Sequence, residues 1–261
     1  MAKMTNFTAD KLNVRIYETP LQMGAEAAKD VAENIKKLLS EQPVVNIIFA
    51  AAPSQNEFLS SLSSMKEIEW SRVNAFNMDE YVGLHEKAPQ RFAHFLAESL
   101  FNKVALKEVF YINGNAEDLQ TECSRYSNLL NQYRVDIVCM GIGENTHIAF
   151  NDPHTANFND PYLVKVVTLD EASRLQQVHD GCFAELHDVP TSAITLTVPA
   201  LLRGNSIYCI VPGKNKAQAV RHTINSDVSS QYPSSSLKNH NNATLYLDSD
   251  SAINLIVSSV V

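Results

Sequence analysis

The stretch VDIVCMGIGENTHIAFNDP, residues 135–153, decides the reading of the fold. Val135 to Met140 are apolar apart from Asp136 and rich in β-branched side chains, the pattern of a buried strand. Glycines at 141 and 143 break that strand. Glycine permits a tight turn and a close approach of backbone to a ligand. Glu144, Asn145, His147, Asn151 and Asp152 then put five carboxylate, amide or imidazole side chains into nine residues. A strand running through a glycine turn into a polar cluster is where open α/β sheets hold their ligands. His147 changes charge near neutral pH, and the carboxylates of Glu144 and Asp152 are placed to orient or tune it. A plain polar loop with one surface histidine is the alternative. The glycines, the strand and the acid–amide–histidine–acid order weigh against it.

Outward from this loop, strands and helices alternate along the chain. Strands are expected over 12–17, 44–50, 73–77, 163–169, 193–198, 206–211 and 244–248, with the remainder closing the domain. Helices are expected over 21–39, 56–62, 91–100, 118–133, 171–178 and 216–223. In the first of these, Met23, Ala27, Val31, Ile35 and Leu39 recur at helical spacing. No repeat or low-complexity run interrupts the order. The pattern predicts an α/β fold of one domain over 1–261: a three-layer, doubly wound, mainly parallel sheet with helices on both faces.

Loops after three other strands also carry polar groups, and in a parallel sheet they converge on its carboxyl edge. The first is Ala51-Ala52-Pro53-Ser54-Gln55, before an expected helix N-terminus. Ala52, Ser54 and Gln55 make a candidate phosphate cradle there, although the loop has no glycine. The second is Met78-Asp79-Glu80-Tyr81, with two adjacent acids at a strand end. Burial can raise such a carboxylate's pKa into the range of a general base. The third is Pro212-Gly213-Lys214-Asn215-Lys216. A lysine at a helix N-terminus opposes the helix dipole, and an anion bound beside Lys216 removes that conflict.

With 261 residues, 45% of them hydrophobic, the chain is long enough for a sizeable core. A formal net charge of −8 and the lack of a Lys/Arg block argue against nucleic acid as a partner. No apolar run is long enough to span a membrane, and the N-terminal sequence lacks the apolar core of a signal peptide. The cysteines at 123, 139, 182 and 209 form no CxxC pair, and Cys139 and Cys209 lie in strand-like runs. A cytoplasmic setting is expected. Glu144, His147 and Asp152 match no zinc-ligand spacing, so no metal is expected.

FNMDEYVGL at 76–84 and GIGENTHIAFNDP at 141–153 together resemble the glucosamine-6-phosphate deaminase/isomerase family. That family is related in fold to 6-phosphogluconolactonases and ribose-5-phosphate isomerases. VPTSAITLT at 189–197 and PGKNKAQAV at 212–220 add to the resemblance, which covers most of the chain. It implies a cofactor-free reaction: opening of a hexosamine 6-phosphate, isomerisation by proton transfer, and release of ammonia to leave a ketose 6-phosphate. Asp79 would then move a proton between C2 and C1, and His147 would open the ring. Asp152 would orient the histidine and Lys216 would bind phosphate, with Glu80, Gly143 and Arg174 beside them. Family members occur as monomers and as higher oligomers, so a homo-oligomer is compatible with the resemblance.

Three departures mark a divergent branch. Asn145 stands where the deaminases have an aspartate. It can orient an imidazole but carries no charge to stabilise imidazolium, which leaves Glu144 as the nearest acid to supply it. Asp152 is one methylene shorter than the family glutamate. AAAPSQ at 50–55 replaces the glycine- and threonine-rich phosphate loop. Galactosamine 6-phosphate is the nearest alternative substrate. A lactonase acting on a phosphorylated sugar acid and a non-catalytic sugar-phosphate binder are the other readings.

Overall fold

The computed structural model describes residues 5–255. Residues 1–4 and 256–261, the latter within the expected closing segment, lie outside the described residues. The chain begins with an antiparallel pair, β1 (Thr5–Ala9) and β2 (Leu12–Tyr17). Helix α1 (Pro20–Glu41) starts at Thr19, whose hydroxyl accepts from the Gln22 amide, with Pro20 at the first helical position. Then come β3 (Val45–Phe49), α2 (Asn56–Ser63), β4 (Val73–Asn77), β5 (Asp79–Tyr81) and α3 (Phe92–Leu96), which runs on as a π turn, Ala97–Phe101. Next are β6 (Glu108–Phe110), α4 (Leu119–Gln132) and β7 (Ile137–Met140). Past the central loop lie β8 (Val164–Thr168), α5 (Glu171–His179), β9 (Ser192–Leu196) and α6 (Val198–Leu201). The order closes with β10 (Ser206–Val211), α7 (Ala217–Asn225) and β11 (Ala243–Asp248).

The main sheet has the order β1-β2-β11-β10-β7-β3-β4-β6, and every pair in it except β1–β2 is parallel. Its central strands are buried on both faces, as a parallel sheet requires. Ile47 and Phe49 of β3 pack with Ile137 and Cys139 of β7 under the apolar faces of α1 and α2. Ile48, Val138 and Met140 face the other way, toward α4 and α7. The three layers follow from this period-two alternation. Cys139 and Cys209 are free, buried and on opposite faces. No helix of the described residues is long and apolar enough to cross a membrane.

Strand order reverses between β3 and β7. From β3 the chain proceeds to β4 and β6 on one side, and from β7 to β10 and β11 on the other. Their carboxyl ends are level, with Phe49 opposite Cys139 and also opposite Asn77. A crevice opens at such a switch point because the connections leave in opposite directions.

One expectation needs correction. The segments expected over 163–169 and 193–198 do not join the main sheet. They form β8 and β9, which pair antiparallel, and β5 adds to β9 to make a separate three-stranded sheet. β8 is an edge strand of this sheet, and only Val164 and Val167 of it are buried. β1, β5 and β6 were also absent from the sequence reading. β5 and β6 have three residues each, too few for periodicity to register.

Asn77 fixes the step from β4 to β5. Its Nδ2 donates to Asp79 O (2.8 Å), and its Oδ1 accepts from Ile112 N (3.0 Å) and Tyr126 Oη (3.2 Å). The side chain is fully buried. Replacing it strands several buried groups, each costing about 1–3 kcal/mol. Asn77→Ala is therefore expected to lose roughly 2–4 kcal/mol. A lower urea midpoint at unchanged m would show it, and an unchanged midpoint would refute it.

Candidate active site

The loops that follow β3, β4, β7 and β10 meet at the switch point around an open cleft. Ala52, Ser54, Gln55, Asp79, Gly143, His147 and Lys216 all line it. Asn145 and Asp152 sit behind His147, hydrogen-bonded to each other (Nδ2 to Oδ1, 3.0 Å). Glu80, Glu144 and Arg174 do not line the cleft.

His147 lies in a backbone held by strain. Thr146 before it has φ 72° and Ala149 after it φ 46°, left-handed conformations that cost non-glycine residues of order 1–3 kcal/mol each. The turn is tied by Gly143 N to His147 O (2.9 Å), Thr146 N to Gly143 O (3.0 Å) and Ser234 N to Thr146 O (2.9 Å). The imidazole folds back over Gly143. A Cβ there would lie 2.1–2.3 Å from three ring atoms. Only glycine leaves the ring its place.

The tautomer is set by Asn145. Its Oδ1 accepts from the His147 backbone N–H (3.0 Å), which can only donate, so the oxygen and not the amide nitrogen faces this side. The same oxygen lies 2.7 Å from Nδ1, which must therefore carry the hydrogen. Nε2 is left as the ring nitrogen for the cleft. The charge that Asn145 lacks comes from Asp152, whose Oδ1 is 3.2 Å from Nδ1. Burial alone would push the Asp152 carboxyl upward. The hydrogen bond and charge of His147, with hydrogen bonds from Asn145 and Ser173, outweigh burial and hold it well below the usual carboxylate range. Glu144 is not the partner. Its Oε2 lies 3.6 Å from His179 Nδ1, and its amide donates to Gln176 Oε1 (2.8 Å).

Asp79 and Glu80 are neighbours on β5, so they point to opposite faces. Asp79 faces the cleft. Burial first, and the nearby negative charge of Glu80 second, push its carboxyl well above the ordinary range. Glu80 turns inward and caps α3, accepting from Phe92 N (3.1 Å) and Ala93 N (3.0 Å), and also from Tyr81 N (3.0 Å). Arg91 Nε lies 3.7 Å from it. Glu80 thus supports the fold rather than binding a ligand, correcting the expectation.

Lys216 is buried at the N-cap of α7 and faces the cleft. Burial lowers its pKa, partly offset by the charges of Asp180 and Glu144. Across from it, Gln55 Nε2 donates to Ser54 Oγ (3.2 Å) and Ile210 O (3.1 Å), which leaves the serine hydroxyl hydrogen free for a ligand. Arg174 is the second correction. Its Nη2 donates to Leu186 O (2.6 Å) and Val189 O (2.9 Å), and its Nε also reaches Val189 O (3.2 Å). These carbonyls hold it away from the cleft.

Sequence reasoning missed Ser173 as a site residue and did not assign Gln176 or Gln177 to the cleft. The signal was present in α5, EASRLQQVH. Ser173, Gln176 and Gln177 are buried, while Leu175 and Val178 are half-exposed. A helix that buries its polar residues is covering a polar site.

The fold and cleft define an α/β protein with a small-molecule site at the carboxyl edge of its sheet. Comparison with known proteins gives the family. The chain belongs to the glucosamine-6-phosphate isomerases/6-phosphogluconolactonase family, whose model matches residues 18–246. It is 32% identical over 241 residues to a glucosamine-6-phosphate deaminase of Bacillus cereus, covering 92% of this chain and 87% of that one. It is 35% identical over 225 residues to a glucosamine-6-phosphate deaminase of Listeria monocytogenes, covering 86% and 94%. The solved structure of a monomeric glucosamine-6-phosphate deaminase superposes with a TM-score of 0.84 at 28% identity, over 93% of this chain and 99% of that one. The 6-phosphogluconolactonase of Thermotoga maritima shares the fold, with a TM-score of 0.74 at 18% identity over 90% and 98%.

Gly143→Ala is expected to expel the imidazole and lower turnover by roughly 10²-fold or more, the scale of misplacement by about 1 Å. Far-UV circular dichroism should be unchanged. Normal turnover in the folded variant would show that the ring does not need this seat.

Proposed function

We propose that the chain isomerises and deaminates a hexosamine 6-phosphate, giving a ketohexose 6-phosphate and ammonia. The observation that carries this reading is the placement of Asp79: a buried carboxyl with a raised pKa faces the same cleft as an imidazole of fixed tautomer. Lactone hydrolysis needs only a group that activates water, and gives such a carboxyl no task. The deaminase relatives point the same way.

In this reading Lys216 and the Ser54 hydroxyl hold the phosphate through charge-assisted hydrogen bonds. His147 Nε2 takes the proton of the anomeric hydroxyl and returns one to the ring oxygen, opening the ring. Asp79, ionised, removes the proton from C2 of the open aldehyde while the substrate ammonium gives one of its protons to O1, so that the enolamine forms. Asp79 then delivers its proton to C1, leaving a protonated imine at C2. Water adds to the imine carbon and ammonia departs, so one water is consumed for each ketose and ammonia formed. Asn145 and Asp152 touch the histidine rather than the sugar and keep it oriented.

The test is ammonia release from a panel of hexosamine 6-phosphates, including glucosamine and galactosamine 6-phosphates, with a 6-phosphosugar lactone alongside. Lactone hydrolysis without ammonia release would overturn the proposal in favour of a lactonase. Binding without turnover of either substrate would favour a sugar-phosphate binder.

Asp79→Asn keeps the shape and removes the base. Turnover is expected to fall roughly 10²–10⁴-fold with folding unchanged. Because a base must be ionised, the raised pKa of Asp79 places the acid limb of kcat/KM above the ordinary aspartate value of about 3.9. An acid limb at the ordinary value, or near-normal turnover of the variant, would remove Asp79 from this role.

Lys216→Ala is expected to raise KM for the phosphorylated sugar far more than for its unphosphorylated analogue. In the parent protein, phosphate binding should weaken at a lower alkaline pH than an ordinary lysine would give, since burial lowers this pKa. Equal effects on both ligands would exclude a contact between Lys216 and phosphate.

A further inference from the structure

Helix α5 reads the catalytic loop at positions three residues apart. Asp170, its N-cap, receives a hydrogen bond from Asn145 Nδ2 (3.2 Å to Oδ2). Ser173 touches His147, Asp152 and Asn145, and Gln176 accepts from the Glu144 amide. Residues three apart share one helix face. Along this face only Ser173 reaches the imidazole, and it is 1% exposed.

The hydroxyl has one proton to give. Asp152 Oδ1, an ionised acceptor, takes it in a short contact. Ser173 Oγ must then act as acceptor toward Nδ1 at 2.8 Å, the ring nitrogen that Asn145 requires to be protonated. The direct approach of Asp152 Oδ1 to Nδ1 is longer, 3.2 Å. A charge-assisted N–H···O bond is usually about 2.7–2.9 Å, so the direct contact is the weaker route. We infer that Ser173 is a positioning residue: its hydroxyl bridges Asp152 to His147, completing with Asn145 the acceptors that fix the ring and linking the imidazolium to its carboxylate. This inference concerns the site and rests on the proposed reaction only for its turnover readout.

The charged groups facing His147 are Asp152 on its own loop, Asp170 at the start of α5, and Asp79 and Lys216 across the cleft. Ser173→Ala removes none of these charges. It removes only the bridge. The test uses the full chain and follows the His147 ring by nuclear magnetic resonance titration without substrate, alongside kcat and KM with hexosamine 6-phosphate.

In Ser173→Ala the His147 midpoint is expected to fall by about half a unit or more as the imidazolium loses its link to the carboxylate. The kcat should fall about tenfold to hundredfold, the scale for one hydrogen bond to a charged group, with KM little changed. Ser173→Thr, which keeps the hydroxyl, should restore both. So should the double variant Ser173→Ala with Asp152→Glu, in which the extra methylene fills the space left by the oxygen and carries the carboxylate to the ring. Should Ser173→Ala fail to fold, Ser173→Cys keeps the volume but offers only a weakly bonding sulfur, and gives the same reading. An unchanged His147 titration overturns the inference, as does a double variant no better than Ser173→Ala. If the wild type turns over none of the sugars, the proposed reaction fails, while the titration still decides the role of Ser173.

Discussion

The parallel pairing of β3 with β7 is the constraint on which the rest of the molecule depends. Ile47 faces Ile137, Ile48 faces Val138 and Phe49 faces Cys139, so both strands end at one level. The chain leaves β3 toward one edge of the sheet and arrives at β7 from that edge before continuing to the other. The gap between the two connections is the cleft. Every side chain assigned a chemical step stands just after one of four adjacent strands, β10, β7, β3 and β4: Asp79 opens β5 directly after β4, and the others stand on the loops. Burial of those strands on both faces makes the loops' positions rigid, because a register slip would turn an apolar face toward the wrong helices.

Within that frame the electrostatics come from splitting neighbours. Asp79 and Glu80 share a strand, and the pleat sends one into the cleft and the other into the start of α3. Amide hydrogen bonds and Arg91 oppose the effect of burial on Glu80. Asp79 has burial and a like charge as its resolved influences, and both act in one direction. Two adjacent acids thus differ because three backbone donors reach only one of them. The same logic separates Glu144 from Asp152: the first lies near an exposed histidine and the second is enclosed by three donors.

Much of this was legible in the sequence because it rests on local pattern. Alternation of apolar and polar residues marked β2 to the residue, the expected bounds of β4 and β10 also match the structure, and glycine breaks marked the turn after β7. The convergence of residues 52–55, 79, 143–147 and 216 followed from parallel topology, since all succeed strands. What local pattern cannot carry is direction. Glu80 looked like a site acid until the α3 amides took it, and Arg174 looked like an anion ligand until carbonyls 186 and 189 took it. Both groups are claimed by partners distant in the sequence. The antiparallel pairing of β8 with β9 was hidden for a related reason, because two isolated strands carry no sign of whether they join a large sheet or each other. Helix α5 was readable in principle: its buried residues are polar, which an ordinary amphipathic helix does not allow.

Asn145 is best understood from the acids around it. Its Nδ2 stands 3.0 Å from Asp152 Oδ1 and 3.2 Å from Asp170 Oδ2, while its Oδ1 accepts from the backbone N–H and the Nδ1–H of His147. An amide can meet both demands because it is donor and acceptor at once. An aspartate in the same pose would replace the amide donor with a third carboxylate beside Asp152 and Asp170, and like charges so close oppose one another's ionisation. The neutral residue at 145 and the acid at 170 therefore belong together. The negative charge that an aspartate would place beside the imidazole is supplied here from the side, by Asp152, with Asn145 setting the geometry. Position 145 is consequently tied to the N-terminus of α5 through the hydrogen bond from its amide to Asp170.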